Sequence, residues 1–423
     1  MPKKNFWEER RKMSNVPKLR FPEFTGEWEE KKIREVAECK AGATPDTKND
    51  AYWINGTIPW MSSGEVNNRF IFSTEKKITQ LGYDKTSTQL LPSNTVVVAL
   101  AGQGKTRGTV AITKIELCTN QSLCAILSNE NLNSEYLFQF LSSQYKQLRM
   151  SSTGGDDSRG GLNLKIIGDY RLPYPSLPEQ QKIADFLSNV DSIIAAETKI
   201  LNSLQKKKKA LMQKLFTQQL RFKQPDGTDF PAWEDKKLIS EFPFIRNGFV
   251  GTVTDFFTTK NDGIKYIEGT NIHNGIISNS INLFVTKEFH KTHKNSQLKE
   301  NDILMVQSGH VGETAVVPKE LENSNCHALI IMSNGGNCSS AYVNYYFQSR
   351  DGKKQLSILT TGSTIKHILA SDMQKFICPF PCLEEQQKIA DCLSSMDSLI
   401  QNQQKVVTTW QQRKKALLQQ MFI

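Results

Sequence analysis

From Ile183 onward the apolar residues fall at Ile183, Leu187, Val190, Ile194, Leu201, Leu204, Leu211 and Leu215, in steps of four and three once Glu197 and Lys208 are counted as interruptions. That spacing is a heptad seam, the mark of a long helix that buries one edge against another helix. The same frame returns at Ile389, Leu393, Met396, Ile400, Val407, Trp410, Leu417 and Met421, with Gln403 and Lys414 in the two interrupted places. Two matching seams in one chain predict that the helices pair with each other. Ser176 followed by Glu179 makes a capping box with Pro178 in the first turn, so the first helix is predicted to start there. Cys382 weakens the equivalent cap, although Glu385 keeps negative charge at that end.

The shared seam is part of a duplication. The stretch Pro175 to Phe216 returns at Pro381 to Phe422, with about half of the positions identical. Further upstream "WEEKKI" at Trp28 reappears as "WEDKKL" at Trp233, and "LPSNTVVVALAGQGKTRGTVAITK" from Leu91 echoes "LKENDILMVQSGHVGETAVVPK" from Leu298. Each half is therefore a diverged globular part followed by a preserved helical part. Within the globular parts, short runs rich in β-branched and aromatic residues read as strands: "TIPWMSS", "TVVVALA" and "GTVAIT", then "IKYIEG", "DILMVQSG" and "TAVVP". A helix is predicted from Ser134 and again from Ser340. The class is α+β, with two β-rich domains separated by a pair of long antiparallel coiled-coil helices. A pseudo-two-fold axis between similar halves is what makes the helices antiparallel. Some 40 residues make a rod of roughly 60 Å.

Length and charge narrow the function. A chain of 423 residues accommodates two units of this size. The 53 Lys and Arg against 43 Asp and Glu leave +10, with a pI near 9.0, which favours an anionic partner such as nucleic acid. Between Thr198 and Pro225 there are eight basic residues and no acidic one, and after Asp397 the only charges are Lys405, Arg413, Lys414 and Lys415. Basic residues near a helix C-terminus complement its dipole, which accounts for part of that pattern. No apolar run reaches the roughly 18 residues of a membrane span, and "MPKKNFWEERRKM" lacks the apolar core of a signal peptide, so a cytoplasmic protein is expected. Met1 to Lys12 have no counterpart in the second half, and Met13 opens a stretch that is itself a candidate start. The eight cysteines form no C-x-x-C pair and read as reduced, structural thiols.

Enzyme motifs are incomplete. "AGQGKT" ends like a phosphate-binding loop, but its first glycine position holds Ala99, and the second copy reads "GHVGET". All six histidines, His273, His290, His293, His310, His327 and His367, lie in the second half, so no histidine site is shared by the two units. There is no G-x-G-x-x-G after a strand and no Asn-Pro-Pro followed by an aromatic. Catalysis and metal binding are not expected of this chain.

The chain resembles the specificity subunit of type I restriction-modification systems. The resemblance is carried by "GTIPWMSSGEV" at Gly56 to Val66, its partner "GIKYIEGTNI" at Gly263 to Ile272, the two "P-x-L-x-EQQKIAD" helix openings and the duplication itself. It implies target-recognition domains at 20–174 and 221–380, helical spacers at 175–220 and 381–423, and a short extension at 1–19. Each recognition domain would read one half of a bipartite, asymmetric site in double-stranded DNA. The helices would set the spacer and dock two modification subunits, with restriction subunits joined through the complex. S-adenosylmethionine, ATP and Mg would belong to those partners, leaving this chain without cofactor, metal or catalytic residues. The helical positions expected to serve pairing and docking are Ile183, Leu187, Val190, Ile194, Leu201, Leu204, Ile389, Leu393, Met396, Ile400, Val407 and Trp410.

Base reading calls for polar side chains on loops that enter the major groove, where Arg and Lys favour guanine and Asn and Gln favour adenine. In the first domain the candidates are Ser62, Ser63, Gln103, Lys105, Thr106, Arg107 and Arg159. In the second they are Thr270, Asn271, Gln307, Ser308, His310, Lys366 and His367. The alternative for each is a phosphate contact or an ordinary loop position, and Gly102, Gly104 and Gly309 read equally as tight turns needing positive φ. Two rival functions stay open: a self-sufficient restriction-methylation enzyme, which needs methyltransferase and nuclease motifs, and a coiled-coil scaffold without DNA affinity, which salt-dependent DNA binding would exclude.

Overall fold

A computed structural model describes residues 16–102, 106–152, 161–278, 280–362 and 366–422. It divides into two compact units, one running to Thr198 and resuming at Lys405, the other spanning Lys199–Gln404. The boundaries cut through both long helices, so each unit owns the start of one helix and the end of the other.

In the first unit a five-stranded sheet has the order Ala37–Ala41, Leu123–Ser128, Val96–Ala99, Val110–Thr113, Phe70–Ile71. Its neighbours are antiparallel except for the last pair, where Phe70–Ile71 runs parallel. The "VVVA" strand is buried on both faces. Strand alternation sends Val96 and Val98 into a core with Tyr136, Phe138 and Leu187, and Val97 and Ala99 into a second core with Met61, Val66 and Ile71. A smaller sheet centres on Ile58–Met61. The helix Ser134–Ser143 starts where expected, capped by Asn133, whose Oδ1 accepts from Tyr136 N at 2.9 Å.

The second unit repeats this plan. Phe244–Asn247, Leu329–Ser333, Ile303–Val306 and Thr314–Val316 form the main sheet, and Gly275 bridges Ala315 in parallel as Phe70 does Ile112. Ile303 and Met305 enter one core while Leu304 and Val306 enter another, the same alternation as in the first unit. Ser339 caps the helix Ser340–Gln348. Every run read as a strand from composition contains one.

The first long helix is Leu177–Phe216 and the second Leu383–Met421. In the first unit Ile183, Ala184 and Leu187 share a core with Met421 and Phe422; in the second Ile389, Ala390 and Leu393 share one with Leu215 and Phe216. The start of each helix therefore meets the end of the other, which makes the pair antiparallel. Along the seam Ile183, Leu187, Val190, Leu201, Ile389, Leu393 and Val407 are buried, and Ile194, Leu204, Met396, Ile400 and Trp410 are half-buried.

Candidate nucleic-acid interface

In the second unit the sequence candidates converge on one loop cluster. The hairpin joining Ile303–Val306 to Thr314–Val316 carries Gln307, Ser308 and His310, and Gln307 O accepts from Ile368 N at 3.1 Å. Ser308 bridges His367, which in turn exchanges two 2.8 Å backbone hydrogen bonds with Thr361. His310 Nε2 donates to Gly269 O at 2.9 Å, and its ring stacks on His273 with centroids 5.3 Å apart. Thr270, Lys366 and His367 are exposed in the same cluster, and Lys353 and Lys366 line a cleft there with His310 and Glu313. Polar and cationic groups held by backbone pairing suit recognition of a polyanion with edges to read.

Asn271 is redirected by the structure. Its Oδ1 accepts from Glu268 N at 2.9 Å, closing the turn Gly269–Asn271. In the first unit Glu65 does the same for Ser62 N, at 2.6 Å, and its other oxygen takes Glu75 N at 2.9 Å. Asn271 thus occupies the place of a buried capping carboxylate, and its amide oxygen is spent on backbone.

The first unit joins its loops in the same way: Leu100 O accepts from Leu162 N at 2.9 Å, matching Gln307 O and Ile368 N. Ser62 and Ser63 open the Ser63–Asn68 turn and are half-buried, as is Thr106. Gln103, Lys105 and Arg159 lie outside the described residues. Arg107 is only 4% exposed, so its side chain lies within the first unit and not on its surface. Gly102 and Gly309 have φ of +133° and +81°, the turn geometry that favours glycine.

The EQQ motif that opens both long helices has a mechanical role. Glu179, expected to cap Ser176, instead gives both oxygens to Arg20, at 2.7 and 2.9 Å. Glu385 does likewise with Arg221, at 3.1 and 2.7 Å, and also accepts from Trp233 Nε1 at 3.0 Å. Both carboxylates are buried. The next residue ties the helix to its domain: Gln180 accepts from Asn133 N and donates to Pro175 O, while Gln386 accepts from Ser339 N and donates to Pro381 O. The motif is a clasp, made twice, between recognition domain and helix.

The lysines that interrupt the seams are neutralised within each unit. Lys414 Nζ lies 2.6 Å from both oxygens of Asp191, and Lys208 Nζ lies 2.6 Å from Asp397 Oδ1. Gln139 in one unit and Tyr345 in the other donate to the same aspartates, at 2.9 and 2.7 Å. Burial is the main cause that pushes the Lys414 ammonium down to about 8. The Tyr345 hydroxyl moves up, chiefly through burial and then through its bond to Asp397.

A sequence profile of the family described as "Type I restriction modification DNA specificity domain" matches residues 25–206 and 233–409, most of the chain and once in each half. The chain belongs to that family. As a type I specificity subunit it is 26% identical to the MjaIX specificity subunit of Methanocaldococcus jannaschii over 97% of this chain and 95% of that one, and 24% identical to the MjaVIII specificity subunit of the same organism over 95% and 92%. The fold is similar to that of the crystal structure of a type I S subunit from M. genitalium, with TM-score 0.59 at 15% identity over 96% of this chain and 99% of the other. A second structure, reported on complex assembly and conformational transition of a type I system, gives TM-score 0.56 at 17% identity over 93% and 97%. This specificity subunit has, among its described residues, no cluster of three metal-ligating side chains and no helix long and apolar enough to cross a membrane.

Sequence reasoning missed two features of the specificity subunit. Arg20 and Arg221 each begin an Arg-Phe pair ahead of the first strand, a repeat visible in the chain but separated from Trp28 and Trp233 by segments of unequal length. The second is an outer stripe on the helices. Phe186, Ile193 and Ile200 recur every seven residues on the first helix and are exposed, and Leu399 and Val406 repeat the last two on the second.

Proposed function

We propose that this specificity subunit reads a bipartite, asymmetric site in double-stranded DNA, one half by each recognition domain, with the long helices fixing the number of unread base pairs between. One observation carries this reading. The same scaffold, down to the loop-joining bonds of Leu100 with Leu162 and Gln307 with Ile368, presents unlike side chains in its two copies. Two similar frames with different loops discriminate two different sequences, whereas a scaffold without DNA affinity has no reason to keep the frame and vary the loops. Base contacts fall to Gln307, Ser308, His310, Thr270, Lys366 and His367 in the second domain, and to Ser62, Ser63, Gln103, Lys105, Thr106 and Arg159 in the first.

The outer stripe is the surface for the modification subunits. In the heptad frame Phe186, Ile193 and Ile200 take the g position, beside the a/d seam, where a two-stranded coil normally carries charge. Apolar a, d and g positions together suit a helix in a larger bundle. Each helix carries such a stripe, so two partners of the same kind find one each through helices of their own. Restriction subunits join through that complex, and S-adenosylmethionine, ATP and Mg, with the catalytic groups, reside on the partners.

A salt titration of the full chain on a duplex bearing its site tests the DNA reading. Affinity is expected to fall with the logarithm of salt, by a slope of about 0.9 per phosphate contact. Binding that is absent at low salt, or indifferent to salt, contradicts it.

A further inference from the structure

We infer that the first unit carries an anion site, shaped for a phosphate group, that the second unit lacks. The site is a cleft of about 620 Å³ in the first unit, bounded by Arg69, Ser142, Lys146, Asp191, Lys414 and Lys415 among others. Four cations face one carboxylate, and that carboxylate is already engaged. Asp191 holds Lys414 through both oxygens and takes a hydrogen bond from Gln139, with Arg69 Nη2 3.6 Å away. The cleft therefore has surplus positive charge and donors to spare. Ser142 Oγ, buried in its lining, has no protein partner.

Arg69 is the decisive residue. It has φ +62° and ψ −51°, a region that long side chains seldom occupy. Its counterpart, one repeat later, is Gly275 at φ +86°; each directly precedes a short strand, Phe70–Ile71 or Ile276–Ile277, lying parallel to the main-sheet hairpin. The second unit thus builds this turn with the residue the backbone prefers, so the fold itself does not require arginine. Strain of this kind persists where a side chain must be put in one place. The guanidinium sits 5.3 Å from the ring centroid of Phe138 and 6.0 Å from that of Phe70, and these rings steer it toward the cleft. Arg69 is also, after burial, the next cause holding the Lys414 ammonium down, the effect of two like charges placed side by side. A tetrahedral oxyanion suits guanidinium and ammonium donors that line one cleft. Its source is either the DNA backbone or a free phosphate.

Thermal unfolding of the full chain in inorganic phosphate against chloride at equal ionic strength is the test, with wild type, Arg69→Gly and Lys415→Gln compared. Phosphate is expected to raise the wild-type midpoint, and Arg69→Gly to bind it at least about tenfold more weakly, the cost of one charge-assisted contact. Lys415→Gln, at an exposed helix position, is expected to weaken the response as well. Without phosphate, Arg69→Gly should melt no lower than wild type. Equal phosphate shifts in all three proteins, no shift in wild type, or a lower midpoint for Arg69→Gly in chloride would each overturn the site, the last by making Arg69 a structural residue. If a random-sequence duplex competes with phosphate for the wild type, the DNA backbone is the source; if duplex affinity is indifferent to phosphate and to Arg69→Gly, a free phosphate is.

Discussion

Glu385→Ala is expected to remove about 2–3 kcal/mol from the stability of the second unit, the cost of hydrogen bonds lost from a buried charged acceptor. Glu385 is fully buried and holds three donors, two from Arg221 and one from Trp233. Its loss leaves the guanidinium with only the carbonyls of Phe230 and Pro231 and the indole N–H without its acceptor, and it loosens the segment before Glu234–Lys237 from the helix start. Glu385→Gln keeps one acceptor and is expected to cost less than half as much. The counterpart Glu179→Ala should weaken the first unit through Arg20. Set against a total of about 5–15 kcal/mol for a typical domain, these are large fractions. Urea unfolding followed by tryptophan fluorescence checks the first, since Trp233 reports directly. A loss under about 1 kcal/mol, as for an exposed pair, would show that the clasp is not what anchors the domain.

Ile193→Asp combined with Leu399→Asp is expected to abolish capture of the modification subunit while leaving the free chain folded. Both side chains are exposed, so their replacement should change stability by no more than about 0.5 kcal/mol. In the complex each charge would have to be desolvated against an apolar partner helix, and two such losses weaken binding by roughly a hundredfold or more. Co-purification with a modification subunit, alongside a thermal melt of the variant alone, separates the two effects. Unchanged capture would move the docking surface elsewhere. Lost capture with an unfolded variant would make the stripe part of the core.

How much of this was legible in the chain depended on whether a residue's partner lies in its own segment. The seam from Ile183 to Leu215 was legible because heptad spacing is local and appears twice. Lys208 and Lys414 were visible as interruptions, but their neutralising partners Asp397 and Asp191 come from the opposite helix, beyond any local pattern. Ser176, three residues before Glu179, makes a local cap legible there, but Arg20, far off in the chain, takes both oxygens. Asn271 fills the place of Glu65, a substitution that capping tolerates because either side chain accepts from the backbone, and nothing in its own segment distinguishes that role from an exposed one. Arg107 is a basic residue beside a glycine-rich loop, which composition cannot tell from an exposed reader when the side chain folds inward. The seam residues are mostly buried or half-buried, and exposed apolar side chains lie one position over, at Ile193 and Leu399.

In the proposed function two unlike readers act on two separate halves of one DNA site. Sequencing methylated adenines across DNA from cells that carry the chain with its modification subunit tests it most directly, for wild type and for Gln307→Ala with His310→Ala. The expected result is a split motif with unlike halves and a constant gap, and in the variant relaxed bases in one half while the other half and the gap stay as they were. A continuous motif, or a variant that alters both halves or the gap, would contradict it.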